Sequence, residues 1–267
     1  MSWTLELATR WSERLLALSV FLQAIELLLA RRAWVDDGVW SWPILKREHE
    51  VLPSPLRWLF SLVLPERPFL GLVLLEAAAA LAFGLGVGAV APFLLFAEVA
   101  VCVRFRGTFN GGSDTLTVLT TLSFAFAWLL GGAEHPLVGK ACLGYIAVQL
   151  TLSYFIAGLA KLKEADWRSG AALRGFVRSR QYGAPPFVRR LLDGERRCQL
   201  LSWCVLLFEC GFPLAWLDPR LCTALIALGL AFHLGNWLVF GLNRFVFAWA
   251  AAYPALLFGS QLVASAR

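Results

Sequence analysis

The segment Tyr154–Gly170 reads YFIAGLAKLKEADWRSG and decides how the rest of the chain is interpreted. A long apolar run ends inside it, and Lys161 follows that run as an isolated cation. Such a lysine either snorkels to the lipid headgroups or faces the interior of a helix bundle, where desolvation makes it a candidate base. Snorkelling is the usual outcome near helix ends, but the small residues Ala157, Gly158 and Ala160 let another helix approach closely. We therefore expect this segment to pack against other helices.

The composition of the chain is that of a polytopic membrane protein. Of its 267 residues, 59% are hydrophobic and 16% are charged, whereas soluble domains carry about 25% charged residues. The net charge of +6 does not indicate nucleic-acid binding, because the basic residues lie in loops between apolar runs. The six cysteines are scattered, so we expect neither a metal site nor a disulfide framework.

Eight apolar segments of roughly membrane-spanning length follow one another along the chain. They cover about 14–30, 69–87, 89–103, 115–131, 139–160, 198–217, 221–241 and 245–263. The boundary between the second and third is the weakest, so the count ranges from seven to nine. A short interfacial or re-entrant helix is expected at 55–64, and an amphipathic helix that lies on the membrane is expected at 185–197. The sequence predicts an all-α polytopic membrane helix bundle, a single domain over 1–267 without a soluble domain, whose surroundings are the lipid bilayer.

The distribution of charge in the loops predicts an orientation. With eight spans, most of the 24 lysines and arginines lie in loops on one side of the membrane. The positive-inside rule places that side in the cytoplasm. The N-terminal segment lacks the pattern of a cleavable signal peptide. We expect an integral, multi-pass protein of a bacterial inner membrane.

Several ionisable residues inside the predicted spans lie at one depth. At about 1.5 Å per residue they lie roughly 8–12 Å below the same basic surface, with Lys161 at its edge and Glu209 nearer the middle of the membrane. The residues at this depth are Glu26, Glu76, Glu98 and His233. Separate hydrogen bonds between helices would explain each of them singly. Together they predict a polar cavity that opens on the basic side and admits a lipid-soluble substrate such as a quinone.

The loop at 104–114, RFRGTFNGGSD, has two interpretations. In the first, a tight glycine turn is followed by Ser113 or Asp114 as the cap of the fourth span. In the second, exposed backbone amides receive a polar head or an anion together with the side chains of this loop. The second interpretation makes Arg106, Asn110, Ser113 and Asp114 candidate ligand-binding residues.

Two stretches resemble the vitamin K-dependent γ-carboxylase family and the wider horizontally transferred transmembrane (HTTM) domain. The family has a string similar to YF-x-AG-x-x-KL-x-x-x-DW-x-x-G. It is matched by Tyr154, Phe155, Ala157, Gly158, Lys161, Leu162, Asp166, Trp167 and Gly170. About 80 residues later a second pattern is matched by Phe232, His233, Leu234, Asn236, Phe240, Phe245 and Pro254. Because both stretches occur in the family's order, the chain is identified as a member.

The resemblance implies a catalytic role for Lys161. In the carboxylases the lysine at this position is the proposed base that deprotonates vitamin K hydroquinone. Lys161 and His233 are therefore the candidate catalytic residues, and Tyr154, Trp167 and Asn236 are candidate ligand-binding residues. The implied cofactor is a quinone or naphthoquinone, with no metal. The family's loops equivalent to the basic ones face the lumen, opposite to the charge rule.

The chain departs from the carboxylases at two places. The histidine that assists the lysine in their loop motif is missing, since this loop reads NGGSD. We also expect no counterpart of their large extramembrane domain, which binds propeptide and substrate. Both departures put carboxylation itself in doubt.

Three functional hypotheses follow. In the first, the protein binds a quinol or another lipid-soluble substrate, with Lys161 as base. In the second, it is a non-catalytic subunit that anchors or stabilises a larger membrane complex and meets its protein partners through 185–197. In the third, the glutamates form the proton relay of a transporter, but no inverted repeat or pair of broken helices supports this.

Overall fold

The computed structural model describes residues 3–105, 111–132, 134–179 and 184–267. These residues form α-helices joined by short turns and 3₁₀ segments, and no strand occurs among them, which confirms the all-α prediction. The α-helices within the described ranges are α1 (Leu5–Leu29), α2 (Arg31–Trp34), α3 (Trp42–Leu45), α4 (Ser54–Val63), α5 (Glu66–Gly84), α6 (Ala91–Phe105), α7 (Gly111–Leu129), α8 (Pro136–Lys163), α9 (Ala165–Ser169), α10 (Ala171–Arg178), α11 (Pro186–Leu191), α12 (Glu195–Gly211), α13 (Pro219–Phe240) and α14 (Asn243–Ser265).

Six helical segments of the described chain are long and apolar enough to cross a membrane. They are Glu66–Gly84, Gly88–Phe105, Pro136–Lys163, Glu195–Trp216, Pro219–Phe240 and Asn243–Ser265. The other two predicted spans are also helical, as α1 and α7, but α1 begins with charged residues and α7 carries several serines and threonines. The chain is therefore an integral, multi-pass membrane protein. Its orientation and its location in a bacterial inner membrane stay predictions.

The helix boundaries follow from local chemistry. Asp218 caps α13, since its Oδ1 accepts hydrogen bonds from the backbone amides of Arg220 and Leu221 at 2.7 and 3.1 Å. Pro219 occupies the first turn, where its missing N–H costs nothing. At the other end of α13, Gly241 takes a left-handed conformation (φ +73°) that a side chain would disfavour, and α14 begins two residues later.

One of the two predicted interfacial segments forms a shorter helix than expected. The helix predicted at 55–64 is α4, but the one predicted at 185–197 is α11, which ends at Leu191. The longer range is wrong because the chain leaves helical geometry at Leu192 and is extended at Gly194, before α12 begins. The amphipathic α10 was not predicted.

The chain divides into two compact units. The amino-terminal unit is Thr9–Cys142, and the carboxyl-terminal unit is Met1–Ala8 together with Leu143–Arg267. Each has buried hydrophobic residues of its own. The prediction of a single domain over 1–267 stays a prediction.

Arg104 is the most unusual side chain of the amino-terminal unit. The sequence places it in a loop, but it lies in α6 and is fully buried. Its guanidinium donates hydrogen bonds to the carbonyl oxygens of Leu64 and Trp34. Four aromatic rings lie 4.5–5.8 Å from its Cζ, those of Trp34, Trp42, Phe69 and Phe105. Carbonyls and ring faces thus replace the water that the charge has lost.

Candidate functional site

A cavity of about 500 Å³ lies within the carboxyl-terminal unit. Helices α8, α10, α12, α13 and α14 supply most of its walls, and the lining is mainly aliphatic and aromatic. Its polar lining residues are Ser153, Tyr154, Lys161, Trp167, Glu209, His233, Asn236 and Trp249. Apolar walls with a few polar groups are typical of sites for small molecules.

Lys161 forms an ion pair with Glu209 at this cavity. Its Nζ lies 2.7 Å from both carboxylate oxygens, and the two side chains are 23% and 4% exposed. The ring of Trp167 lies 5.4 Å from the same Nζ and adds a cation–π contact. The structure therefore pairs the partly buried Lys161 with another helix of its unit, and its role as a base stays a prediction.

The close approach of α8 and α12 brings the pair together. A Cβ atom added to Gly158 would lie 2.8 Å from both the Cβ of Glu209 and the backbone nitrogen of Cys210. Only glycine lets the two helices come this near. Because Lys161 is one helical turn after Gly158, its side chain lies on the same face of α8 and reaches the carboxylate.

Glu209 was set apart by the sequence analysis as lying nearer the middle of the membrane. The sequence nevertheless contains a feature that indicates a partner for Glu209, because a lone carboxylate in an apolar span needs a cation or a proton. Depth estimated from Cα positions separated it from Lys161. The long, flexible lysine side chain bridges that difference in depth.

Three buried side chains, those of Tyr154, His233 and Tyr253, form a second polar cluster in the same unit. The Tyr154 hydroxyl lies 2.8 Å from His233 Nε2 and 2.6 Å from the Tyr253 hydroxyl. All three side chains are at most 4% exposed. Tyr154 precedes Lys161 by two helical turns, so its Cα is about 10 Å away along α8. Tyr253 was missed by the sequence analysis, where it is one of several aromatic residues in an apolar helix.

Aromatic side chains form the wall around His233. Its ring stacks on Phe245 at 6.0 Å, and Phe245 stacks on Trp249 at 5.0 Å. His233 Nδ1 and Trp249 Nε1 are buried and form no hydrogen bond with the described residues. Flat rings with parallel faces favour a flat, apolar ligand.

The amphipathic α10 covers one side of the cavity with Leu173, Phe176 and Val177. Two ion pairs hold it near the start of α12: Arg174 Nη1 lies 2.7 Å from Glu195 Oε1, and Arg178 binds Asp193. The hydrogen bond and the charge of Arg178 lower the pKa of the exposed Asp193 carboxyl. These contacts lie outside the spans, so solvent screens them.

The other predicted site residues have different positions. Trp167 and Asn236 line the cavity with Tyr154, Lys161 and His233. The remaining described candidates belong to the amino-terminal unit, namely Glu26, Glu76, Glu98, Ser113 and Asp114. Arg106 and Asn110 lie outside the described residues. The prediction that the three glutamates share a site with Lys161 and His233 stays a prediction.

Two of these glutamates are completely buried within the amino-terminal unit. Glu76 and Glu98 have no exposed surface, and the side-chain amide of Gln23 donates a hydrogen bond of 3.0 Å to Glu98 Oε2. Ser113 and Asp114 are also buried. They lie inside the first turn of α7, which begins at Gly111, so the prediction that one of them caps this helix is wrong.

Within the described ranges, no group of three or more histidine, cysteine, aspartate or glutamate side chains is placed to hold a metal ion. The polar groups of the cavity are instead one ammonium, one carboxylate, hydroxyls, an imidazole and an amide. This set suits hydrogen bonding and proton transfer to an organic ligand.

Comparison with known proteins gives one match. The family model described as the HTTM domain matches residues 132–261, a range that contains every lining residue of the cavity. No curated protein and no solved structure matches the chain.

Proposed function

We propose a function from the premise that this chain carries an HTTM domain over residues 132–261. The cavity binds a lipid-soluble aromatic ligand that has an ionisable hydroxyl group, of which a quinol is the type. Lys161 is the base that removes the hydroxyl proton. The observation that supports this proposal is that the Lys161 ammonium lies at an apolar cavity of about 500 Å³ lined by aromatic rings.

The chemistry of the lining supports this class of ligand. Phenylalanine and tryptophan rings offer flat surfaces to a ring system, and a ligand that dissolves in lipid enters a membrane-embedded cavity without a large desolvation cost. The resemblance to the vitamin K-dependent carboxylases supports the role of Lys161, because their lysine at this position is the proposed base. The proposal covers binding and deprotonation, not the carboxylation of a second substrate.

The test is mass spectrometry of protein extracted in a mild detergent, read for bound quinones and naphthoquinones. We expect one to co-purify with the wild-type chain and to be lost in Lys161→Ala. Lys163→Ala is the matched control, because Lys163 is exposed at the end of the same helix and does not line the cavity. If Lys161→Ala and Lys161→Arg leave quinol binding and turnover unchanged, the proposal is wrong.

A second candidate function is that of a non-catalytic membrane subunit. It is favoured by α11, which lies outside the six spans and exposes Phe187 (68%) and Leu191 (58%) beside Arg189 and Arg190. A stoichiometric partner that co-purifies with the chain, and whose activity survives Lys161→Ala, would support this function. Loss of that partner in Phe187→Ser would locate the contact on α11.

A further inference from the structure

We infer that Glu209 is the proton acceptor of this site, so that the base is the Lys161–Glu209 pair rather than the lysine alone. The inference rests on the proposed function and adds a catalytic residue to it. It also restricts the ligands to those whose hydroxyl group becomes an oxyanion beside an ammonium group.

The geometry of the pair carries the inference. Both oxygens of Glu209 lie 2.7 Å from Lys161 Nζ, within the range of charge-assisted hydrogen bonds. Glu209 lines the same cavity as Lys161, and its side chain is only 4% exposed. An ammonium so paired has no lone pair with which to accept a proton. It becomes a base only when it gives a proton away, and Glu209 is the acceptor in contact with it.

The proposed step balances in atoms and charge. Lys161 passes one proton to Glu209, the N–H bond breaks and an O–H bond forms on the carboxylate. The amine then takes the proton of the ligand hydroxyl, whose O–H bond breaks and leaves an oxyanion. The ion pair before the step is Lys161 with Glu209, and the ion pair after it is Lys161 with the ligand oxygen. The cavity holds one cation and one anion before and after the step and only neutral groups in between, so no additional charge is desolvated.

A bound apolar ligand fills the cavity and excludes water, so the proton passes between groups that are already in contact. The ammonium that is restored at the end stabilises the aromatic oxyanion directly.

The experiment uses 2-naphthol as the probe, because its anion absorbs at longer wavelength than the neutral form. The protein of residues 1–267 is titrated with it in nanodiscs at pH 7. Ultraviolet difference spectra report the ionisation of the bound probe, and infrared difference spectra report the C=O stretch of a newly protonated carboxyl group. We expect both the naphtholate band and the carboxylic-acid band in the wild type.

Glu209→Gln assigns the infrared band, since its amide oxygen can still accept a hydrogen bond from Lys161 but not a proton. We expect this variant to lose the carboxylic-acid band. Glu134→Gln is the control, because Glu134 is exposed and belongs to the amino-terminal unit, and it should retain both bands. Glu209→Asp checks that the binding site survives substitution, and it should retain the acid band with weaker naphtholate formation.

Each other outcome is decisive. Naphtholate that forms without a carboxylic-acid band, or with a band that persists in Glu209→Gln, overturns the assignment of Glu209. Probe that binds only as the neutral naphthol overturns it as well. If 2-naphthol does not bind to the wild type at all, the proposed function fails, and the inference that rests on it fails too.

Discussion

Tyr154 holds three helices together through one buried hydroxyl. It lies on α8, and its two partners lie on α13 (His233) and α14 (Tyr253). A hydroxyl can donate one hydrogen bond and accept others, so Tyr154 satisfies both neighbours at once. Gly229 of α13 leaves room for this contact, since a Cβ there would lie 2.8 Å from the Tyr154 oxygen.

Tyr154 bonds to two partners, whereas Tyr253 bonds to Tyr154, and this difference gives a prediction for two conservative substitutions. Tyr154→Phe leaves both His233 and Tyr253 without their partner, whereas Tyr253→Phe leaves Tyr154 bonded to His233. We expect Tyr154→Phe to lower the free energy of unfolding by about 2 kcal/mol and Tyr253→Phe by about 0.6–1 kcal/mol. Reversible unfolding in mixed micelles measures both. Tyr145→Phe is the control, because that side chain is exposed on the same helix; equal losses at 154 and 253 would contradict the shared bond.

At the scale of helices, the contact between α8 and α12 depends on Gly158. The same helix contains Gly144, where an added Cβ would meet nothing within 4 Å. The two glycines therefore separate the effect of helix propensity from the effect of a close approach. Propensity alone favours alanine over glycine by about 0.5–1 kcal/mol at either position.

We expect Gly158→Ala to destabilise the protein by about 1–3 kcal/mol, because the new methyl group pushes α12 away. The displacement should also separate Lys161 from Glu209 and weaken binding of 2-naphthol. Gly144→Ala should leave stability unchanged or raise it slightly. Thermal unfolding and naphthol titration of both variants provide the measurements. A Gly158→Ala protein that behaves like Gly144→Ala would show that the helices are not held at this distance.

The apolar runs predicted the long helices because a span is a local property of about 20 consecutive residues. The partners of polar residues are not local. Arg104 looks like a loop residue in the sequence, and only the folded chain brings the carbonyls and rings that accept its charge. The same holds for Glu209, whose cation lies 48 positions earlier in the chain. The short α10 was missed because it follows α9 within a basic segment that was interpreted as a loop.

The site residues also divide into those that a sequence pattern predicts and those that only the packing of the helices reveals. Lys161, Tyr154, Trp167, His233 and Asn236 were named from two matching stretches, and all of them line one cavity. Tyr253 and Trp249 match no pattern, and only the packing of α14 places Tyr253 beside Tyr154 and Trp249 beside His233. The grouping of the glutamates of the amino-terminal unit with Lys161 rests on depth along the spans alone and stays a prediction.

For the whole molecule, the division into two units predicts where ligand binding is encoded. Every lining residue of the cavity lies between 153 and 249, inside the carboxyl-terminal unit. This unit includes Met1–Ala8, and the Trp3 amide donates a hydrogen bond of 2.7 Å to the Gln261 side chain. That single contact near a terminus is worth about 1 kcal/mol, which is small beside the packing of four long helices.

We therefore expect a fragment of residues 132–267, inserted in nanodiscs, to bind 2-naphthol within about threefold of the affinity of the full chain. Threefold corresponds to about 0.6 kcal/mol, the scale of one lost contact between helices. Circular dichroism establishes that the fragment is helical, and calorimetric titration gives the affinity. The same fragment with Lys161→Ala separates binding at the cavity from partition into lipid. A helical fragment that binds no naphthol, while the full chain does, would show that the amino-terminal unit is needed to form the site.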